Sequence, residues 1–306
     1  MTPAVLVGVD GSPESTAAAH WAAEEALRRG APLRLLHAWP WLTDGRAAFA
    51  DPENLPAAGQ RMLAATAREV RERHPGVAVD TDVVLDAAVD GLVAAAEDTG
   101  LLVLGSRGLG GFAGLLVGSV GMAVAARSTV PLVLVRPARP AAARRAEADR
   151  AEADRAEADE EEGVAVPEVV VGVDVAAPSH AVLDFAFHEA ALRGARVRAV
   201  HGWDLPPAFA VVGFLPSGVE MAQLQTAEEK ALAAALAGYR ERHPETEVVE
   251  QVRLGAARTL VEDSVGAELV VVGRRRRPHE LGLRLGRVAH AVLHHAHAPV
   301  AVVPHD

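Results

Sequence analysis

Short apolar runs of four to nine residues alternate with longer stretches in which apolar positions recur every three or four residues, and the whole alternation is written twice along the chain. In the first half the runs Ala4–Val9, Leu33–Ala38, Val77–Leu85, Leu101–Leu104 and Leu132–Val135 predict strands. The intervening stretches predict amphipathic helices. The first helix is punctuated by Ser12 as N-cap, Pro13 in its first turn and Gly30 just past its end; Gly194 ends the corresponding helix of the second half. Strands alternating with helices imply right-handed crossovers and a parallel sheet covered on both faces, a doubly wound, Rossmann-like α/β architecture.

The doubling is explicit in the residues. AVLVGVD ending at Asp10 returns as VVVGVD ending at Asp174, LLHAW from Leu35 as AVHGW from Ala199, and RERHP from Arg71 as RERHP from Arg240. LLVLG ending at Gly105 returns as LVVVG ending at Gly273, and PLVLV from Pro131 as PVAVV from Pro299. Five matches in order, all offset by 164 to 169 residues, identify a tandem duplication. Between the copies AEADR occurs twice and AEADE follows, a five-residue period that fits neither a helix face nor a strand. With no large apolar side chain from Arg139 to Gly163, the segment has nothing to bury. The expected organisation is a first domain at 1–138, a charged linker at 139–166 and a second domain at 167–306.

Composition narrows the partners. Thirty Lys and Arg stand against 41 Asp and Glu, a net charge of −11, which is no electrostatic footprint for nucleic acid. Without cysteine, disulfides, thiolate metal sites and a cysteine nucleophile are excluded. The apolar run before Asp10, Ala4 to Val9, is only six residues long and no basic stretch comes before it, so no secretory leader is expected and a cytoplasmic location is. Gly108 to Ala126 is uncharged for 19 residues, but its six glycines read as a loop entering a short helix rather than a membrane span.

In doubly wound sheets ligands bind beyond the carboxyl ends of the strands where strand order reverses. The residues there are Asp10, then His37 to Trp39, then the run GSRGLGGFAGLLVGS from Gly105 to Ser119. A glycine loop closing with Gly-Ser at a helix start can surround phosphate oxygens with backbone N–H groups, and the helix dipole adds to the attraction. A surface turn is the alternative use of the same glycines. The Walker pattern is absent, because no Gly-Lys pair exists. A GxGxxA match at Gly108, Gly110 and Ala113 follows the fourth strand and lacks the downstream acid, so it is accidental.

The first copy resembles the universal stress protein family. VGVDGS ends its first strand, and Gly105, Gly108, Gly118 and Ser119 fill every fixed position of that family's signature: Gly, two residues, Gly, nine residues, Gly, then Ser or Thr. The resemblance implies two five-stranded parallel sheets of order 3-2-1-4-5. It also implies an adenine nucleotide, ATP with Mg as a companion ion, lying across strands one and four. Asp10 would face the adenosine with the Val9 backbone alongside, and Ala38 would offer backbone groups to the adenine edge. Gly105 and Gly108 would admit ribose and phosphates, and Gly118, Ser119 and Val120 would hold phosphate at the helix start. Arg107 reads as a solvated charge.

The second copy keeps Asp174, Gly273 and Gly286 but has Arg276 at the second glycine position and Arg287 at the serine position. Either that site is lost, or guanidinium groups replace backbone amides as phosphate contacts. The run Arg274 to Arg277 carries the same pair of readings, an acid-paired cluster or an altered anion site. His290, His294, His295 and His297 crowd one helix without a carboxylate ligand, so no metal is expected. Trp21, Trp39, Trp41 and Trp203 read as packing residues.

The expected function is a nucleotide-binding regulatory protein of the stress response with an unidentified protein partner and no catalytic residues. A slow ATP hydrolase or phosphotransfer enzyme and a nucleotide-independent scaffold are the alternatives. The apolar last strands predict edge-to-edge pairing of the two copies as an intramolecular pseudo-dimer, with further self-association through other faces.

Overall fold

The computed structural model describes residues 2–39, 55–108, 117–136, 166–204, 217–276 and 285–306, which fall into two compact units. The expected linker lies outside the described residues apart from Val166.

The first unit runs β1 (Val5–Gly8), α1 (Pro13–Arg29), β2 (Leu33–Trp39), α2 (Leu55–Arg73), β3 (Val79–Leu85), α3 (Ala88–Ala96), β4 (Leu101–Gly105), α4 (Ser119–Arg127) and β5 (Leu132–Val135). Every pairing is parallel and the order is β3-β2-β1-β4-β5. The second unit repeats the plan with β6 (Glu168–Gly172), α5 (His180–Arg193), β7 (Arg196–Trp203), α6 (Gly218–Arg242), β8 (Val248–Leu254), α7 (Ala256–Asp263), β9 (Leu269–Arg275), α8 (Arg287–His295) and β10 (Val300–His305). Its order is β8-β7-β6-β9-β10. Both are the expected 3-2-1-4-5 arrangement.

Central strands read as unbroken apolar runs because helices cover both faces. Val5, Leu6 and Val7 are buried, as are Leu101 to Leu104 beside them and Val169 to Val171 in the second unit. Helix α1 approaches its sheet through Ala18, Ala19, Ala22, Ala23 and Ala26, all buried, whereas α5 uses Leu183, Ala186, Phe187 and Ala190, with Phe187 stacked on Tyr239 of α6.

The punctuation is as expected at α1. Ser12 caps it by accepting a hydrogen bond from the Ser15 amide at 3.1 Å, Pro13 opens it, and Gly30 ends it at φ 58°, a conformation that costs glycine little. Several strand limits differ from expectation by one or two residues, and two of them have a local cause. β3 starts at Val79 because Val77 still closes the end of α2, its amide bonded to the His74 carbonyl. β1 stops at Gly8, although the Val9 amide continues the ladder to the Leu36 carbonyl at 2.8 Å. No described helix is long and apolar enough to cross a membrane; α4 occupies only eight residues of the uncharged run, and residues 109–116 lie outside the described residues.

Candidate functional site

β1 and β4 are parallel neighbours, Val7 opposite Val103, so their carboxyl ends deliver Val9 and Asp10 beside Gly105 to Gly108. This is where strand order reverses: β1 leads outward to β2 on one side and to β4 on the other.

Asp10 is oriented by the start of α1. Its Oδ1 accepts from the Ser12 amide at 3.0 Å and from the Ser12 hydroxyl at 2.6 Å, while that hydroxyl oxygen accepts from Ser15. Cap and carboxylate therefore hold one another. The carboxylate's other oxygen, Oδ2, lies so close to Gly108 that a Cβ there would collide with it. At Gly105 a Cβ would meet backbone, 2.7 Å from the Glu14 carbonyl carbon and 3.0 Å from the Ser15 nitrogen. These two signature glycines are thus required by the protein's own packing, which brings the end of β4 and the following turn hard against the first turn of α1.

Gly118 differs from both. Its φ of −74° suits any residue, and a Cβ would find nothing nearer than the Arg107 Cα at 3.6 Å. Its amide bonds to the Ser106 carbonyl at 2.8 Å, which pins the start of α4 to the end of β4. No side chain caps α4, the first intrahelical bond belongs to Met122, and Ser119 and Val120 are exposed. A short helix with uncapped first-turn amides and a bare Cα beside them presents partial positive charge to whatever lies before it. Arg107 is not simply solvated as expected: it pairs with Glu14 at 3.1 Å.

Both backbone groups of Val9 have partners, its amide on Leu36 and its carbonyl on the His37 Nδ1 at 2.7 Å. A carbonyl only accepts, so His37 carries a proton on Nδ1. The ring also lies edge-on to Trp39, 5.6 Å between centroids. Ala38 stands in β2 opposite Val84. The histidine link recurs in the second unit, where His201 Nδ1 donates to the Val173 carbonyl at 2.9 Å and Nε2 lies 3.1 Å from Glu228. Sequence reasoning used LLHAW and AVHGW as repeat markers without seeing that the shared histidine ties the second strand to the end of the first. A groove of about 420 Å³ meets the crevice only at Gly11, and is otherwise lined by Thr16 and by α2, from Met62 to Glu72.

The second unit ends its strands differently. β9 continues through Arg274 and Arg275, paired with Pro304 and His305 of β10, and the Arg276 amide bonds to the His305 carbonyl. In the first unit the pairing of described residues runs to Gly105 with Val135 and ends on the bond from the Ser106 amide, while the Ser106 carbonyl is taken by the Gly118 amide; Pro137, the counterpart of His305, lies outside the described residues. The His305 ring also lies where a Cβ on Gly273 would point, 2.8 Å away. Asp174 is exposed and accepts from the Ala176 amide at 3.1 Å. Gly286 caps α8 at φ −58° with open space around it, and Arg287 is the first, exposed residue of that helix. Burial pushes the Arg274 guanidinium below its usual value, helped by the charge of Arg276; Arg277 lies outside the described residues. His290 and His294 are ring neighbours at 4.6 Å, and among the described residues no three metal-ligating side chains gather. Trp203 is buried with its indole N–H donated to Gln225, a packing role, and Trp41 lies outside the described residues.

Fold and crevice define a duplicated doubly wound α/β protein with a glycine turn where strand order reverses. The Universal stress protein family matches residues 1–136 and 165–304, and the chain belongs to that family. It is 32% identical to one universal stress protein of Mycobacterium tuberculosis over 97% of this chain and 96% of that protein, and 30% identical to a second over 99% and 96%. Among solved structures, a universal stress protein from Archaeoglobus fulgidus covers 98% of both chains with a TM-score of 0.64 at 17% identity, a likeness of fold.

Proposed function

We propose that the first unit binds one adenine nucleotide, ATP in the simplest case, and that the chain is a nucleotide-responsive regulator of the stress response rather than an enzyme. The observation that carries this reading is Gly118. Gly105 and Gly108 are accounted for by packing against Glu14, Ser15 and Asp10, but among the described residues nothing needs a glycine at 118. A ligand that must approach the backbone there does need one. The uncapped amides of α4 supply donors for phosphate oxygens, with the Ser119 hydroxyl at the same turn. Asp10, held by Ser12, would accept from ribose or base in this reading. Mg²⁺ would arrive on the phosphates, since no described cluster of side chains offers it a cage. Ser119 has no described carboxylate or histidine hydrogen-bonded to it, which favours binding over hydrolysis.

In the second unit the strand pair that runs on to Arg275 and His305 stands where the first unit turns, which favours loss of the site over its conversion. Isothermal titration of the full chain with ATP is expected to give one site per chain. Two equivalent sites, or no heat at all, would overturn the reading.

A further inference from the structure

Arg107 is the one charge carried by the glycine signature from Gly105 to Ser119. Its Cα lies 3.6 Å from where a Cβ on Gly118 would be, so the side chain springs from the lip of the α4 N-terminus. In the structure the guanidinium turns the other way, to the Glu14 carboxylate at 3.1 Å, with the arginine side chain 38% exposed and the glutamate 17%. Glu14 itself sits in the first turn of α1, directly against Gly105. At the crevice mouth the described carboxylates Asp10 and Glu14 thus stand near Arg107, which cancels the second of them.

We propose that Arg107 reads the phosphate chain of the nucleotide and that Glu14 holds it in reserve, so that the site favours a nucleoside polyphosphate over the nucleoside. The proposal rests on the reading of the first unit as a nucleotide site. A partly exposed ion pair contributes little, so the guanidinium leaves Glu14 at small cost. Facing phosphate it makes charge-assisted, bidentate hydrogen bonds stronger than those to a single carboxylate in solvent. Without it, two carboxylates would oppose a polyanion that otherwise meets only amides and a helix dipole.

The test is calorimetry of the full-length protein with adenosine, AMP, ADP and ATP. For the parent, affinity is expected to climb from adenosine to ATP. Arg107→Ala should flatten the climb, with ATP about tenfold weaker, about 1.4 kcal/mol, and adenosine unchanged. Arg107→Lys should restore part of the climb as a point charge. Glu14→Gln should tighten ATP severalfold and leave adenosine alone; the Glu14 atoms that crowd Gly105 most closely are backbone, and glutamine keeps the shape of the side chain. A merely structural role would shift all four ligands together, and that outcome overturns the proposal while leaving nucleotide binding standing. An Arg107→Ala protein whose ATP affinity equals the parent's also overturns it. A parent that binds none of the four removes both the proposal and the site on which it rests.

Discussion

The two crevices are built on the same strand order, yet they diverge around the end of the fourth strand. In the first unit Gly105 lets the chain pass against α1, Ser106 makes the last described bond to β5, and Gly108 turns over the Asp10 carboxylate. In the second unit the matching residues stay in the sheet through Arg275, and the Arg276 amide is still bonded to β10. The lesson concerns what a lost glycine does. Arg276 stands where the first unit has Gly108 against the Asp10 carboxylate, and it accompanies a strand that runs on to Arg275. The site is altered in main chain as well as in side chain.

The largest effect expected from this contrast is at the two helix-capping glycines. Gly118→Arg should weaken ATP binding by the full chain at least about a hundredfold, about 2.7 kcal/mol, while Gly286→Arg leaves affinity unchanged. Both glycines have ordinary φ, and among the described residues a Cβ would make only ordinary contacts at 118 and none at 286, so neither variant should lose thermal stability, and calorimetry paired with a melting curve separates binding from folding. An unaffected Gly118→Arg protein would break the assignment of the first crevice.

Next in size is the pair Gly105 and Gly273, equivalent in the repeat but blocked by different atoms. A methyl group at 105 meets backbone of Glu14 and Ser15 that cannot yield without moving α1, so Gly105→Ala should destabilise the first unit by about 2 kcal/mol. At 273 it meets the His305 ring and Val182, side chains near the end of the chain and on α5 that can shift. Gly273→Ala should cost less than about 1 kcal/mol in denaturant unfolding. Equal costs would mean that the two strand ends are packed alike.

These glycines also show how far the sequence carried. Their spacing was legible because a signature is a local count, and the fold was legible because period, caps and duplication all pointed to one architecture. What each glycine does was not legible, since Gly105 answers to Glu14, 91 residues earlier, and Gly108 to Asp10. The extension of β9 was hidden because Arg274 and Arg275 carry no strand pattern; their pairing with β10 supplies it. Glu25 with Arg29 and Glu189 with Arg193 resemble ordinary surface pairs four residues apart, yet both glutamates are fully buried. Sequence periodicity cannot tell a solvated helix face from one covered by a neighbour.

A smaller contrast should appear in acid. His74 lies between α1 and α2, its ring nitrogen 3.1 Å from His20, which in turn faces Glu69 and Arg73. Burial holds its pKa below 6.5, the neighbouring His20 and Arg73 add to this, and Glu24 opposes it. The unfolded chain then binds the proton more readily, so first-unit stability is full above pH 6.5 and declines as pH falls through the lowered folded value. In the second unit burial raises the Glu168 carboxyl, but hydrogen bonds and charge from Arg198 and Arg196 outweigh it and bring the pKa below 4.5. Stability there is full above 4.5 and is lost only below it. Hydrogen exchange of the full chain from pH 8 to 5 should therefore weaken β1 and β2 before β6 and β7, and His74→Gln should flatten the first slope. Parallel loss in both units would refute the difference.

The smallest effect is expected from the change that looks most restorative. Arg276→Gly with Arg287→Ser completes the signature of the second unit around the glycines it already has, Gly273 and Gly286. If the arginines alone had silenced the crevice, this protein would bind a second nucleotide. The geometry argues otherwise. Neither substitution touches the pairing of Arg274 and Arg275 with Pro304 and His305, and the Arg276 amide that bonds to the His305 carbonyl is present in glycine too. The His305 ring stays against Gly273, so the strand still runs straight where the first unit turns toward its aspartate, and Asp174 keeps its bond to the Ala176 amide. Titration of the double variant should thus give one ATP per chain, with affinity within about twofold of the parent, a difference of about 0.4 kcal/mol. A second site in that protein would show that side chains alone separate the crevices. Shortening β10 before His305 would then add nothing, whereas if the strand is the obstacle, that truncation combined with the two substitutions is the route to a second site.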